Sequence, residues 1–443
     1  MTYIKRHLDK NLIEWKTAKN RKPLLIRGAR QVGKSSTIRN FAKQFDYFIE
    51  VNFEMQKTLH KLFDGDLEPH KICEELSVIT NTPVIAGRTL VFFDEIQSCL
   101  PAISSLRFFY EKFPELHIVA AGSLLEFALQ ELPSFGVGRI RSLFLYPFSY
   151  EEYLDALGEK LLLQTLQNCE ISKAFSDAIH KKLIDNFLRF MLIGGMPEVV
   201  ATYVGGGSIL DCQQVLDDLI ISLYDDFAKY KENVPTSRLR EVFGSVVNQT
   251  GGKFFYSKAS SNSNHLQIKE SIDLLELAGI IYPVTQSSSN GIPLAAEMNI
   301  KFRKYLIFDT GIFQRILGLN LSEVLLGDKL EQINKGALAE LFVGLELIKS
   351  SSGSNFHPLF YWQRDARGSE AEVDYVIQLG KNIVPIEVKS GTSGAMQSLH
   401  LFITEKNCEY GIRTSLENIG QLPQIKIFPI YALATLIKKL QHS

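Results

Sequence analysis

The stretch from Pro23 to Thr37, PLLIRGARQVGKSST, restricts what this chain can fold into more than any other. Leu24-Leu25-Ile26 reads as a short buried strand, the chain breaks into a loop at Gly28, and a helix begins after Lys34. Between them GARQVGKS places Gly28, Gly33, Lys34 and Ser35 at the spacing G-x-x-x-x-G-K-[ST]. A loop that wraps a phosphate must turn its backbone N–H groups inward, which favours glycine. The N-terminus of the following helix adds its positive dipole end. The expected phosphate cradle is Gly28, Ala29, Arg30, Gln31, Val32, Gly33, Lys34, Ser35 and Ser36. Lys34 would neutralise the β- and γ-phosphates, and the Ser35 hydroxyl would hold a magnesium ion, so ATP and Mg2+ are the expected cofactors. Motifs this short also arise by chance in surface loops, but here both the strand before and the helix after are present.

The strands that follow are consistent with this start. Tyr47–Asn52 and Thr89–Phe93 read as strands separated by a helix over Glu68–Thr80, an alternation that predicts a parallel sheet with helices on both faces. Such sheets bind ligands beyond the C-terminal ends of their strands. The second strand ends in Asp94-Glu95. Asp94 would hold the hydrated magnesium ion and Glu95 would polarise the attacking water; alone, an apolar strand followed by two acids is often only a surface turn. The next strand, His117–Ala121, ends in Gly122-Ser123, where Ser123 would touch a γ-phosphate or merely form a Gly-Ser turn. Gly138-Arg139-Ile140-Arg141 precedes a strand expected at Leu143–Tyr146. Arg139, in preference to Arg141, is the candidate arginine finger, in cis or from a neighbouring subunit, with a solvated arginine as the alternative.

The order of GARQVGKS, FFDEIQ, AAGSLLEF, GRIRSLFLYPFSYEEY and GGMPEVV resembles a large prokaryotic family of AAA-superfamily, archaeal-type ATPases with a shared C-terminal domain of uncharacterised function. The resemblance runs over most of the chain. It implies ATP binding and hydrolysis on an α/β core with a helical lid, and it brings no settled biological role.

Composition narrows the partners. A net charge of −1 announces no nucleic-acid or membrane surface, so any basic face must be local. No run approaches the roughly twenty apolar residues of a membrane span. Five scattered cysteines without CxxC spacing argue against disulfides and zinc and for a reducing, cytoplasmic compartment. Length alone suggests about three domains.

The middle of the chain reads as helical. Leu161–Phe190 has the pattern of one long helix, a turn follows at Met191–Glu198, and a further helix covers Val215–Lys231, together forming a lid. From Arg238 the order becomes helix (Leu239–Thr250), polar loop, helix (Leu266–Ala278), strand (Ile280–Val284), turn and strand (Lys301–Phe308), the outline of a winged helix. Residues 236–310 hold eight Lys or Arg against six Asp or Glu, and the recognition-type helix carries Glu270, Asp273 and Glu276. A structural or protein-binding role therefore stands beside a DNA-binding one.

At the C-terminal end, Gly336–Lys349 reads as an amphipathic helix with Glu340 early in it. A strand holds Asp374, and the next holds Glu387 and is followed at once by Lys389, all three set for one site. Period-two alternation places Glu387 and Lys389 on the same face. Asp374 and Glu387 would bind magnesium, Lys389 would orient or activate water, and Glu340 would complete the site, with Gln397 as a further polar contact. EVDYVI followed by IEVKS resembles the PD-(D/E)XK, restriction-endonuclease-like fold of Holliday-junction-resolvase relatives. Charged residues on a solvated edge strand, or a nuclease fold that has lost activity, are the alternatives.

The whole reads as an α/β protein. A P-loop NTPase core with a parallel sheet is expected over 1–160, a helical lid over 161–235, a winged helix over 236–310 and the nuclease-like α/β domain over 311–443. The expected function is Mg2+-dependent ATP hydrolysis coupled to nucleic-acid binding or cutting. The alternative is a nucleotide-dependent switch that binds a partner and hydrolyses little. ATP and possible nucleic acid are the expected partners, with no membrane; self-association or a protein partner is left open.

Overall fold

Five strands, all parallel, form the sheet of the first unit: β1 (Leu24–Arg27), β2 (Tyr47–Asn52), β3 (Thr89–Asp94), β4 (His117–Ala121) and β5 (Arg141–Phe144), in the order β2-β3-β4-β1-β5. The computed structural model describes residues 3–132, 138–230, 234–321, 335–350, 358–364, 371–391 and 395–442. Within them the chain divides into two units, one built on Met1–Tyr146 with Leu277–Gly279, the other on Pro147–Glu276, Ile280–Ser351 and His357–Ser443.

In the first unit β3 and β4 are buried at every position, because helices cover both faces of the sheet. One of the two resulting cores gathers Leu25, Val51, Phe93, Ile118 and Ala120 from the sheet with Ile103, Leu106 and Phe109 from the helix Leu100–Lys112. β4 lies between β1 and β3, so the phosphate loop and the Asp94-Glu95 pair sit on either side of the strand that leads into Ser123. Parallel strands place all three turns at one edge. The N-terminal helix begins at Leu8, because the Asp9 carboxylate accepts the Arg6 N–H at 2.9 Å and the Tyr3 hydroxyl at 2.7 Å, bending the preceding residues around it. One expected element shifts. The strand expected at Leu143–Tyr146 starts instead at Arg141, whose register partner is Leu24.

In the second unit the long helix expected over Leu161–Phe190 is broken. Helices occupy Lys160–Gln167 and Asp177–Ile193, preceded by Tyr150–Ala156 under a Ser149–Glu152 capping box. The break has a distant cause: Asn418 donates to the Phe175 carbonyl at 2.8 Å and accepts its N–H at 3.0 Å. Those backbone groups are satisfied without a helix. Helices Pro197–Val204, Ile209–Asp226, Thr236–Asn248 and His265–Leu277 follow.

The remaining strands build one sheet of eight: β6 (Ile281–Ser287), β7 (Met298–Ile307), β8 (Leu359–Gln363), β9 (Glu372–Leu379), β10 (Asn382–Val388), β11 (Gly411–Ser415), β12 (Gly420–Leu422) and β13 (Ile425–Pro429), in the order β12-β13-β11-β10-β9-β8-β6-β7. The antiparallel β6–β7 hairpin corresponds to the expected wing, and the two helices before it are present. But β6 pairs in parallel with β8, so the sheet runs across the boundary expected at residue 310. The helix Lys335–Ser350 carries Glu340. Arg364–Ser369 reads from its sequence as a polar turn, and beyond Arg364 it lies outside the described residues. Among the described residues no helix is long and apolar enough to cross a membrane.

Candidate functional site

The loop after β1 takes the backbone shape its glycines allow. Gly28 has φ +141°, Gln31 +63° and Gly33 +95°. A Cβ on Gly28 would lie 2.1 Å from the Leu145 carbonyl oxygen, so glycine is required there by contact as well as conformation. Ala29 and Val32 are buried, and the Val32 carbonyl accepts from Arg6 Nη1 at 2.9 Å, which ties the loop down from behind. Arg30 and Gln31 lie outward of it, Gln31 exposed and Arg30 partly so. Gly33 caps the helix Lys34–Ala42, and its carbonyl accepts the hydroxyls of Ser36 and Thr37, each at 2.9 Å.

Lys34 is 7% exposed, and its ammonium donates to the carbonyls of Gly28 at 2.9 Å and Ala29 at 2.8 Å. Burial pulls its pKa down to about 8 against the opposing pull of Glu95 and Asp94. Ser35 Oγ donates to Asp94 Oδ1 at 2.9 Å. The Asp94 carboxylate also accepts the Glu95 N–H at 3.2 Å and Asn52 Nδ2 at 3.4 Å, with Arg39 at 3.8 Å. Burial raises the Asp94 pKa, the Ser35 bond opposing it and Glu95 adding to it.

Glu95 sits in the left-handed region at φ +47°, a conformation that a non-glycine residue holds only where its surroundings fix it. Its Oε2 accepts from Gln97 Nε2 at 2.7 Å, Ser123 Oγ at 3.0 Å and the Ser123 N–H at 3.2 Å. Burial alone would raise its pKa; the bonds from Gln97 and Ser123 and the charge of Lys34 outweigh this and lower it. Ser123 is thus brought to Glu95, and Gln97 joins them although it was not singled out from the sequence. Its signal was its place two residues after Glu95, on the rim that faces Gly122.

Arg139 is not brought to this site. Its partner is Glu111, and it lies just before Arg141, at the start of β5. In parallel strands that is the sheet edge opposite the phosphate loop. The expectation of a finger in cis therefore fails on topology.

The C-terminal acids do meet. β9 and β10 pair antiparallel with Ile386 opposite Tyr375, bringing Asp374 beside Glu387, and Asp374 Oδ2 accepts the Val388 N–H at 2.7 Å. Lys389 Nζ donates to Glu387 Oε1 at 2.7 Å. The sequence reading missed two members. Lys304, on β7 and 1% exposed, extends its ammonium to Glu340 Oε1 at 2.8 Å and Glu372 Oε1 at 2.5 Å, and lies 5.1 Å from the centre of the Tyr361 ring. Gln397 is exposed at the start of its helix, where the neighbouring Ser398 hydroxyl accepts the Glu372 N–H. Burial, with Asp374 adding and Lys304 opposing, holds the Glu340 carboxyl above its ordinary range, and Asp374 is raised with it. Burial and Asp374 push Glu387 up to about 7. Burial favours a neutral Lys304, but Glu340, Glu372 and Asp374 overcome it and its pKa rises.

The two sites differ in what they fit. Ser35 and Asp94, a hydroxyl and a carboxylate in contact beside the glycine-bearing loop, are oxygen donors of the kind a hydrated Mg2+ on a polyphosphate takes. The C-terminal acids do not fit the magnesium expected there. An ammonium already bridges two of them, and among the described residues no three His, Cys, Asp or Glu side chains are placed to hold a metal ion.

Residues 20–154 match the model of a family described as an AAA domain, which supports an ATPase-like P-loop domain over this segment. Residues 184–323 and 335–433 match two families described as domains of unknown function, DUF8612 and DUF4143. No curated protein matches the chain. Among solved structures, the Walker-type ATPase PABY2304 of Pyrococcus abyssi is similar at 14% identity and TM-score 0.47, over 72% of this chain and 96% of its own. The Aeropyrum pernix ORC1 protein, solved in complex with DNA, is similar at 11% identity and TM-score 0.31, over 73% of this chain and 95% of its own.

Proposed function

We propose that the chain binds ATP with Mg2+ on the loop Gly28–Ser36 and hydrolyses it. The observation that carries this is the contact of Ser35, on the helix after the loop, with Asp94, at the end of β3 and next to Glu95, which supports a shared role for them at a metal and a water. Lys34 supplies positive charge at the loop, and the backbone amides of the loop orient the phosphates. Mg2+, when bound with the nucleotide, neutralises charge that develops on the phosphates. Glu95, held charged by Gln97 and Ser123, orients the water and takes its proton. Arg139 serves as a finger only if a neighbouring copy presents it. The test is ATP hydrolysis by the full chain and its Glu95→Gln variant: turnover in the first and retained ATP without turnover in the second support the reading. Binding with no turnover in either would leave a nucleotide-dependent switch, the reading favoured by the three hydrogen bonds that already engage Glu95.

For the C-terminal half we propose a nuclease-like framework, of Glu340, Asp374, Glu387 and Lys389, used to bind a partner rather than to cut. The ion pairs Lys304–Glu340 and Lys389–Glu387 support this. So do the ion pairs Arg238–Glu270 and Arg303–Glu276, each at 3.2 Å, which take up two of the basic groups a DNA-binding winged helix would offer. A cleavage assay with Mg2+ or Mn2+ on DNA and RNA, controlled by Asp374→Ala, tests it; Asp374-dependent cleavage would overturn it.

A further inference from the structure

We infer that Lys304 is the resident cation of the C-terminal acid pocket, an ammonium fixed where a divalent ion would otherwise bind. The inference rests on the reading of that half as a non-cutting framework and supplies its cause.

Four carboxylates, Glu340, Glu372, Asp374 and Glu387, gather between the helix Lys335–Ser350 and strands β9 and β10. Buried carboxylates repel one another, and without compensation at least some of them must take up protons. A site that holds Mg2+ or Mn2+ resolves this with the ion. Here a side chain of the same polypeptide takes that role through ion pairs: a lysine arrives on β7, three strands from β9 in the sheet, and reaches over Tyr361 to bridge Glu340 and Glu372. At 1% exposed, Lys304 has no path by which its head group snorkels to water, so its charge is committed to the pocket. Asp374 Oδ2 accepts the Val388 N–H and Glu387 Oε1 accepts from Lys389, while Glu387 Oε2 is buried without a partner among the described residues. An entering divalent ion would find the Glu340 and Glu372 oxygens already bonded to one ammonium, and it would bring two positive charges to within a few ångströms of a third.

The arrangement also explains why the acids alone mislead. Glu340, Asp374, Glu387 and Lys389 all lie after residue 310, whereas the group that neutralises two of the pocket's acids comes from the hairpin before it. The lysine acts as a fixed positive charge, as an intramolecular substitute for a metal.

The test is Mn2+ titration of the nucleotide-free full chain in a Ser35→Ala background, which removes the hydroxyl expected to hold metal at the phosphate loop. With Lys304 in place, no Mn2+ site that depends on Asp374 is expected. Lys304→Met is expected to gain one, binding Mn2+ at least about tenfold tighter and losing it again on Asp374→Asn. An Asp374-dependent Mn2+ site of equal affinity in both would overturn the inference. Should Lys304→Met fail to fold, 15N-lysine NMR of the unsubstituted chain decides: a Lys304 ammonium signal that Mn2+ leaves sharp supports the inference, and one broadened or displaced by Mn2+ overturns it. Mn2+ binding at Asp374 without cleavage would sink this inference alone, while cleavage would sink the non-cutting reading as well.

Discussion

The Ser35 hydroxyl donates to the Asp94 carboxylate across 2.9 Å, joining the first turn of the helix after the phosphate loop to the end of β3. Two oxygens suited to one magnesium ion are thus in register, and the neighbouring Lys34 ammonium is fixed by two loop carbonyls. Lys34→Ala is expected to weaken ATP binding by about 1.5–3 kcal/mol, the worth of a charge-assisted hydrogen bond. Titration with a fluorescent nucleotide measures it. Thermal stability without nucleotide should not fall, since the desolvation of the Lys34 ammonium that depresses its pKa no longer has to be met.

Glu95→Gln keeps the shape of the side chain and removes the base. Turnover is expected to drop about 10²–10⁴-fold with ATP affinity nearly unchanged. Steady-state phosphate release beside equilibrium binding separates the two. Ser123→Ala should fall between the wild type and Glu95→Gln, because the Ser123 N–H still reaches Glu95 after the hydroxyl is gone.

Gly28 and Gly65 make a matched pair, both with positive φ but in different surroundings. At Gly28 a new Cβ meets the Leu145 carbonyl, while at Gly65 it meets nothing within 4 Å. Gly28→Ala is therefore expected to cost about 2–4 kcal/mol and to disrupt nucleotide binding. Gly65→Ala should cost only the left-handed backbone penalty, about 1–2 kcal/mol. Urea denaturation of the two variants compares them.

Asp309 is buried and serves two backbone groups: its Oδ2 accepts the Gly195 N–H at 2.6 Å and its Oδ1 accepts the Ile312 N–H at 3.0 Å, capping the helix Thr310–Ile316. Asp309→Ala loses a cap and strands a buried donor, an expected cost of about 2–4 kcal/mol. Asp309→Asn, which keeps an acceptor, should recover part of it in the same calorimetric scan.

The raised Glu387 pKa gives a pH signature. The folded state holds its proton up to about 7, the unfolded chain only to about 4.5. The folded form binds more protons in between, so this group's contribution to stability is complete below pH 4.5 and is lost as pH rises towards 7. The loss amounts to up to about 3 kcal/mol. Melting temperature measured from pH 5 to 8 should flatten in Glu387→Gln relative to wild type.

What could be read from the sequence follows from how local each determinant is. The phosphate loop, β2, β3 and β4 are set by contiguous residues, since a glycine spacing or an unbroken apolar run carries its own conformation. Glu340, Asp374, Glu387 and Lys389 were legible because strand alternation and one turn bring three of them together. The break near Phe175 depends on Asn418, and no window on the earlier residues reveals it. Lys304 reads locally as one more charge on an exposed hairpin; only the pairing of β6 with β8 turns it inward. Arg139 was misplaced for the same reason, since its position depends on which end of β5 faces the loop, a matter of register rather than composition.

Because β6 lies between β7 and β8, the last third of the chain is not a detachable module. A fragment starting at residue 311 would leave the β8 edge bare, offering unpaired N–H and C=O groups to any passing strand. It would also lack the lysine that balances its acids. Such a fragment, assayed for metal-dependent cutting, would report on a pocket that the intact protein never presents. Whatever the C-terminal sheet does, it does with the hairpin that precedes it, and a graft or transfer of either part alone would inherit a different chemistry.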